Sequence, residues 1–173
     1  MIVVVMGVSG VGKTTVGKGL AEALGARFLE GDQFHPKANI EKMSHGEPLT
    51  DADRKPWLER LAAELDASRA RGESVVLACS ALRRSYRDIL RAGHDDVDFV
   101  FLDAEQAVIQ KRLDARKGHF MPPSLLDSQF AALERPGPDE RTVRAEATQP
   151  PDGIVASVLR QLRQRGELSR NDC

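Results

Sequence analysis

The stretch from Met1 to Thr15, MIVVVMGVSGVGKTT, leaves this chain few folds to choose from. Ile2 to Met6 is an unbroken apolar run that opens directly into Gly7-Val8-Ser9-Gly10-Val11-Gly12-Lys13-Thr14, which fits the G-x-x-x-x-G-K-[ST] pattern of a phosphate-binding loop. A run that is apolar at every position predicts a strand buried on both faces, as in a parallel sheet. After the loop, Val16, Leu20, Ala21 and Leu24 recur at helical spacing. Gly7, Gly10 and Gly12 open backbone conformations closed to other residues. Successive amide N–H groups then turn inward to meet phosphate oxygens at the positive end of the helix. Lys13 adds a mobile point charge for the β- and γ-phosphates, and the Thr14 hydroxyl is suited to ligate Mg²⁺. Thr15 reads as a helix residue and is kept with the loop in the nucleotide-binding set.

A chain of 173 residues is most economically one domain, here 1–166 with a polar tail at 167–173. Its 25 basic and 26 acidic residues leave a net charge of −1, so no global field points to nucleic acid or an anionic membrane. Cys79 and Cys173 make no disulfide framework and fit a reducing cytosol. The apolar N-terminal run is too short to span a bilayer and lacks a basic flank, so a core strand is expected there.

Arg27 to Glu30 reads as a second strand leading into Gly31-Asp32, and carboxylates at the C-terminal end of such a strand sit beside the ligand crevice of an open α/β sheet. Asp32 has two readings. It orients and deprotonates an attacking hydroxyl in a kinase, or it caps the next turn. Lys37 to Pro48 predicts a short helix with Ile40 and Met43 inward. Thr50-Asp51-Ala52-Asp53 resembles a capping box opening a long helix, on which Trp57, Leu58, Leu61 and Leu65 recur as core. Arg54 and Lys55 fall on its first turn, either partnered or as solvated surface charge.

Val75 to Cys79 predicts a third strand, with Ser80 and Arg83 at the sheet edge facing the crevice. Phe99 to Leu102 predicts a fourth. Asp103 after it invites a metal-binding reading, but with Gln106 it also fits an N-cap for a helix from Ala104 to Arg116, the commoner job at such a junction. Arg112 and Arg116 project from one face of that helix. The Lys117 to Pro123 segment after them suits a cationic lid over a nucleotide, or else the arginines are a basic helix end favoured by its dipole. Ser124 to Leu133 predicts a helix, Thr142 to Ala147 a fifth strand, and Ile154, Val155, Val158, Leu159 and Leu162 a final amphipathic helix. His45 and His94 sit in polar loop contexts, and the histidines do not cluster as a Zn²⁺ site.

Taken together the chain resembles the gluconokinases, small carbohydrate kinases of the shikimate-kinase-like branch of the nucleoside-monophosphate-kinase fold. The likeness runs from Val4 to about Leu162. It rests on Gly7 to Thr14 with Gly31-Asp32, His35-Pro36, Asn39 to Met43, Gly46 to Leu49 and Asp53 to Leu58. It continues through Cys79 to Leu82, Tyr86-Arg87-Asp88, Arg116 to Phe120, Gln129-Phe130 and Leu133-Glu134. The resemblance implies a three-layer α/β P-loop fold with a five-stranded parallel sheet, helices on both faces and a lid. It also implies ATP-dependent phosphorylation of D-gluconate at its terminal hydroxyl, with Mg²⁺, in the cytoplasm, by a homodimer. By the family pattern Asp32 is the base or orienter, Lys13 and Arg116 are phosphate clamps, Thr14 is the Mg²⁺ ligand and Arg112 lies over adenine. His35, Arg54, Ser80, Arg83 and His119 meet the sugar acid. Glu30 stands where relatives commonly carry Asp, which puts a water-mediated Mg²⁺ role there in doubt.

Two rivals remain at this level. One is a kinase of the same fold acting on shikimate or a nucleoside monophosphate, disfavoured because Cys79-Ser80-Ala81-Leu82 replaces the glycine cluster of shikimate kinases. The other is a nucleotide-binding switch, disfavoured by a carboxylate poised after the second strand.

Overall fold

A computed structural model describes residues 1–116 and 123–166. In chain order the elements are β1 (Ile2–Met6), α1 (Lys13–Leu24), β2 (Arg27–Glu30), a 3₁₀ turn (Gly31–Phe34), α2 (Lys37–Ser44), α3 (Asp51–Ala70) and β3 (Val75–Ala78). There follow α4 (Arg84–Arg91), β4 (Val97–Asp103), α5 (Gln106–Ala115), α6 (Pro123–Ala132), β5 (Thr142–Glu146) and α7 (Pro151–Gln164). The strands form one parallel sheet in the order β2-β3-β1-β4-β5.

Side-chain alternation along β1 explains the three layers. Val3 and Val5 pack with α1, α5, α6 and α7 residues such as Leu20, Ile109, Leu126 and Val158. Ile2, Val4 and Met6 face the other way, onto Trp57, Leu58, Leu61 and Leu65 of α3 and Tyr86 and Leu90 of α4. Both faces are therefore covered, and a strand apolar at every position is what such a sheet requires. Because β1 is central, with β3 on one side and β4 on the other, the strand order reverses at its C-terminal end, and the ligand crevice of an open α/β sheet lies there.

The capping box at α3 forms as expected. Asp53 N–H donates to Thr50 Oγ1 at 3.1 Å, and Thr50 N–H donates to Asp53 Oδ2 at 2.8 Å. The same carboxylate receives Lys42 Nζ at 2.7 Å, tying α2 to α3. Hydrogen bonds from Lys42 and Thr50 hold the Asp53 carboxyl down at about 2.

Two sequence expectations are corrected. Asp103 caps nothing. It ends β4, is buried, and accepts Arg135 at 2.6 and 3.1 Å and Arg144 Nε at 2.8 Å, while α5 begins later, with Glu105 in the capping position. Two cations at a buried strand end bind a carboxylate more strongly than helix amides do, and the acid is spent on joining β4 to β5 and to the segment after α6. Ile40 does not point inward: it is 52% exposed, and Asn39 is the buried residue of α2. The lid segment falls on residues 117–122, outside the described residues apart from Pro123, which opens α6.

Candidate active site

The loop after β1 is held from below. Gly7 N–H donates to the Ser80 carbonyl at 3.2 Å, joining it to the turn after β3. Gly12 sits at φ 103° in the N-cap position of α1, a left-handed conformation that costs glycine little. The first bond of α1 runs from Val16 N–H to the Gly12 carbonyl at 3.0 Å, so the amides of Lys13, Thr14 and Thr15 precede it and face the helix's open end. Val8 and Val11 point into the core and serve the loop through their backbone.

Two clefts flank this loop. The smaller, about 380 Å³, is lined by Ser9, Gly10, Gly12, Lys13, Thr14, Thr15, Glu30, Asp32, Leu113 and Arg116. The larger, about 720 Å³, is bounded by Asp32, His35, Arg54, Trp57, Ser80, Leu82 and Gln129, with an apolar wall of Ile40, Met43, Leu49 and Leu125. Ser9, Lys13 and Asp32 line both. A group moving from one cleft to the other passes between these three side chains.

Lys13 Nζ donates to the carbonyls of Gly7 at 2.9 Å and Val8 at 3.0 Å, which leaves a third proton for a ligand. Burial of the ammonium draws its pKa down, and Asp32, Cys79 and Glu30 pull it back toward the charged form. Thr14 Oγ1 donates to Glu30 Oε2 at 2.5 Å. Glu30 thus joins the nucleotide-side cleft, where the sequence left its role in doubt. Two oxygen donors side by side suit a hard cation such as Mg²⁺, which takes one or two protein ligands together with substrate phosphates. Among the described residues no cluster of three or more His, Cys, Asp or Glu is placed to hold a metal alone.

Asp32 is carried into the crevice by the turn after β2, which opens at Gly31, whose Cα lies so close to β3 that a Cβ there would come within 2.5 Å of the Ala78 carbonyl. Trp57 Nε1 donates to the Gly31 carbonyl at 2.8 Å and fixes the turn from the α3 side. The Trp57 ring also stacks on His35, with centroids 4.0 Å apart, so it is core and cleft wall at once. His35 Nε2 lies 4.0 Å from Asp32 Oδ1, and burial draws the His35 pKa below its ordinary value, which favours the neutral ring at pH 7.

The remaining expected residues divide. Ser80 and Arg54 line the acceptor cleft, Arg54 bonding the Leu49 carbonyl and, at 3.3 Å, the Tyr86 hydroxyl. Arg116 lines the nucleotide cleft at the end of α5. Arg112 instead bonds the Ala147 carbonyl after β5 at 2.5 Å. Arg83 is exposed at the start of α4 and lines neither cleft. His119 lies outside the described residues. His45, read from its polar loop context without a role, is exposed yet borders the acceptor cleft. Gln129 had no assigned role, and it holds Ser9 across a separation of 120 residues. No local pattern announces a contact of that range.

Comparison with known proteins places this geometry. A family model described as an AAA domain matches residues 2–136. The gluconokinase of Gluconobacter oxydans is 52% identical over 157 residues, covering 91% of this chain and 88% of the relative. The chain belongs to the gluconokinase family. The crystal structure of a gluconokinase from Sinorhizobium meliloti superposes with a TM-score of 0.87 at 50% identity, covering 96% of this chain and 93% of that one. A sugar kinase from Janibacter gives a TM-score of 0.89 at 50% identity over 93% of each chain. The gluconokinase likeness thus extends over both clefts and the loop between them.

Proposed function

We propose that this chain is an ATP-dependent kinase that phosphorylates D-gluconate at its terminal hydroxyl, giving 6-phospho-D-gluconate and ADP. The observation that carries the reading is the junction of a P-loop cleft and an acceptor cleft at Lys13 and Asp32, in a chain 52% identical to a gluconokinase.

ATP is the donor substrate, held by the amides at the start of α1 with Arg116 over the phosphates. The third proton of Lys13 meets a γ-phosphate oxygen and stabilises the charge that shifts during transfer. Mg²⁺ fits the Thr14 hydroxyl and Glu30 carboxylate, and when bound its charge offsets that of the phosphates. The acceptor hydroxyl donates to the Asp32 carboxylate, which orients it and takes its proton as the phosphoryl group arrives. His35, Ser80, Arg54 and His45 supply hydrogen-bonding groups of the kind a polyhydroxy acid needs, and Arg54 is the cation best placed for its carboxylate. Arg112, bonded to the backbone after β5, supports the adenine side, whereas nothing in the described residues brings Arg83 to the acceptor.

ADP formation from Mg-ATP, measured with D-gluconate, other aldonates, shikimate, AMP and no acceptor, tests the reading. Stimulation confined to gluconate supports it. Stimulation by shikimate or AMP keeps the P-loop chemistry and removes the acceptor assignment, and turnover indifferent to any acceptor removes the kinase reading altogether.

A further inference from the structure

Ser9 is held twice by one side chain. Its backbone N–H donates to Gln129 Oε1 at 2.7 Å, and Gln129 Nε2 donates to Ser9 Oγ at 2.9 Å. A carboxamide that accepts from the amide and donates to the hydroxyl satisfies both its own ends with one residue. Once Oγ has accepted from Gln129, the hydroxyl proton is the part of Ser9 left to give. Ser9 is also one of three residues that line both clefts, beside Lys13 and Asp32. The proton is therefore available where the transferring group crosses, and Gln129 restricts the torsion of the hydroxyl that carries it.

We propose that Gln129 is a positioning residue that makes the Ser9 hydroxyl a directed hydrogen-bond donor to the phosphoryl group in transit. Preorganised donors aimed at developing charge act on the transition state more than on the bound substrates, so their loss lowers kcat rather than raising KM. Gln129 belongs to α6, on the acceptor side, while Ser9 belongs to the loop on the nucleotide side. The pair thus links the two halves of the site directly at the point of reaction. The proposal rests on the ATP-dependent transfer described above.

The test uses the full chain with Ser9→Ala, Gln129→Met and the double variant. Ser9→Ala keeps the backbone bond to Gln129 and deletes only the hydroxyl, whereas Gln129→Met keeps the hydroxyl and frees it. Each single change is expected to lower kcat on the order of tenfold or more, with both KM values within about twofold. The double variant is expected to be no slower than the slower single one, because the two residues act as one unit. Melting temperatures measured alongside identify any variant whose loss comes from unfolding. Acceptor-independent ATP hydrolysis is followed in parallel and is expected to fall in the same proportion, since the donor serves the phosphoryl group. That readout separates this proposal from the identity of the acceptor: wild-type hydrolysis without gluconate stimulation rejects the gluconate reading while the Ser9 effect is still measured. Wild-type kcat in Ser9→Ala overturns the proposal, as does a double variant whose losses multiply.

Discussion

At the level of single residues the site depends on a few groups whose neighbours determine what they have left to offer. Lys13 spends two protons on loop carbonyls and keeps one. Lys13→Ala is expected to lower kcat/KM by at least about 10²-fold while the fold survives, and steady-state kinetics with a melting curve checks both parts. Asp32→Asn retains shape and loses the proton acceptor, so kcat is expected to fall by about 10²-fold or more with ATP binding little changed. A weakened ATP affinity at unchanged kcat would move Asp32 to the nucleotide or its metal. Glu30 bonds the Thr14 hydroxyl. Glu30→Gln is expected to raise the Mg²⁺ concentration for half-maximal activity several-fold, read from a Mg²⁺ titration at fixed ATP. The loop, Lys13 and Thr14 were legible in the sequence because they form one contiguous signature. The Gln129 contact was not, since it spans 120 residues and joins elements whose packing no local pattern reveals. Asp103 misled for a related reason: its sequence neighbours suggested a cap, while its partners, Arg135 and Arg144, lie 32 and 41 residues away.

At the level of elements, placement follows from where strands stop. β2 ends at Glu30, and at the next residue, Gly31, no side chain fits between its Cα and the Ala78 carbonyl; Asp32 is delivered into the crevice by that close approach. Gly31→Ala drives a Cβ against backbone, which cannot rotate away. The expected cost is about 2 kcal/mol of stability with a lower kcat from a displaced Asp32, measured by urea unfolding and turnover on the same sample. All five strands were legible to within two residues at either end. β1, β3 and β4, buried on both faces, announce themselves by apolar runs, whereas Arg27–Glu30, met at its exact bounds, was read from its place before Gly31-Asp32 and Thr142–Glu146 from a weak alternation that its burial follows. α2 was legible as a helix but not in its orientation. Its short amphipathic pattern suggested an inward Ile40, whereas Ile40 forms the apolar wall of the acceptor cleft.

Across the whole molecule, the turn 80–82 ties distant parts together. Ser80 bonds the P-loop through Gly7, the Leu82 carbonyl accepts Glu134 N–H at 2.7 Å, and Arg87 donates to the carbonyls of Ala81 at 2.9 Å and Leu82 at 3.3 Å. Arg87 is itself buried against Glu140, at 2.7 and 3.1 Å, and Arg91 joins the same carboxylate at 2.9 Å. Burial alone would raise the Glu140 pKa. The bonds from Arg87, Arg91 and Gly137 N–H outweigh it and bring the carboxyl from 4.5 to about 2. A carboxyl with a folded pKa below its unfolded one stabilises the fold above the unfolded value, and the gain is lost as pH falls through the folded value. Stability is therefore expected to decline from about pH 4.5 toward pH 2. Glu140→Gln, which leaves Arg87 buried without its counter-charge, is expected to lose about 3 kcal/mol at pH 7 and to flatten that decline. Urea midpoints of both proteins across the range measure this. An Arg87–Glu140 pair at 53 residues' separation leaves no trace in composition or periodicity, so the support behind the site became visible only in three dimensions.

If the two clefts meeting at Lys13 and Asp32 carry transfer from ATP to the far end of a sugar acid, the phosphoryl group must arrive on the oxygen of one particular carbon. Carbon-13 and phosphorus-31 NMR of the product made from uniformly labelled D-gluconate and Mg-ATP reads that position directly. Phosphorus coupling confined to the terminal carbon and its neighbour is the predicted result. Coupling at another carbon, or inorganic phosphate with unmodified gluconate, would contradict the assignment of the acceptor cleft.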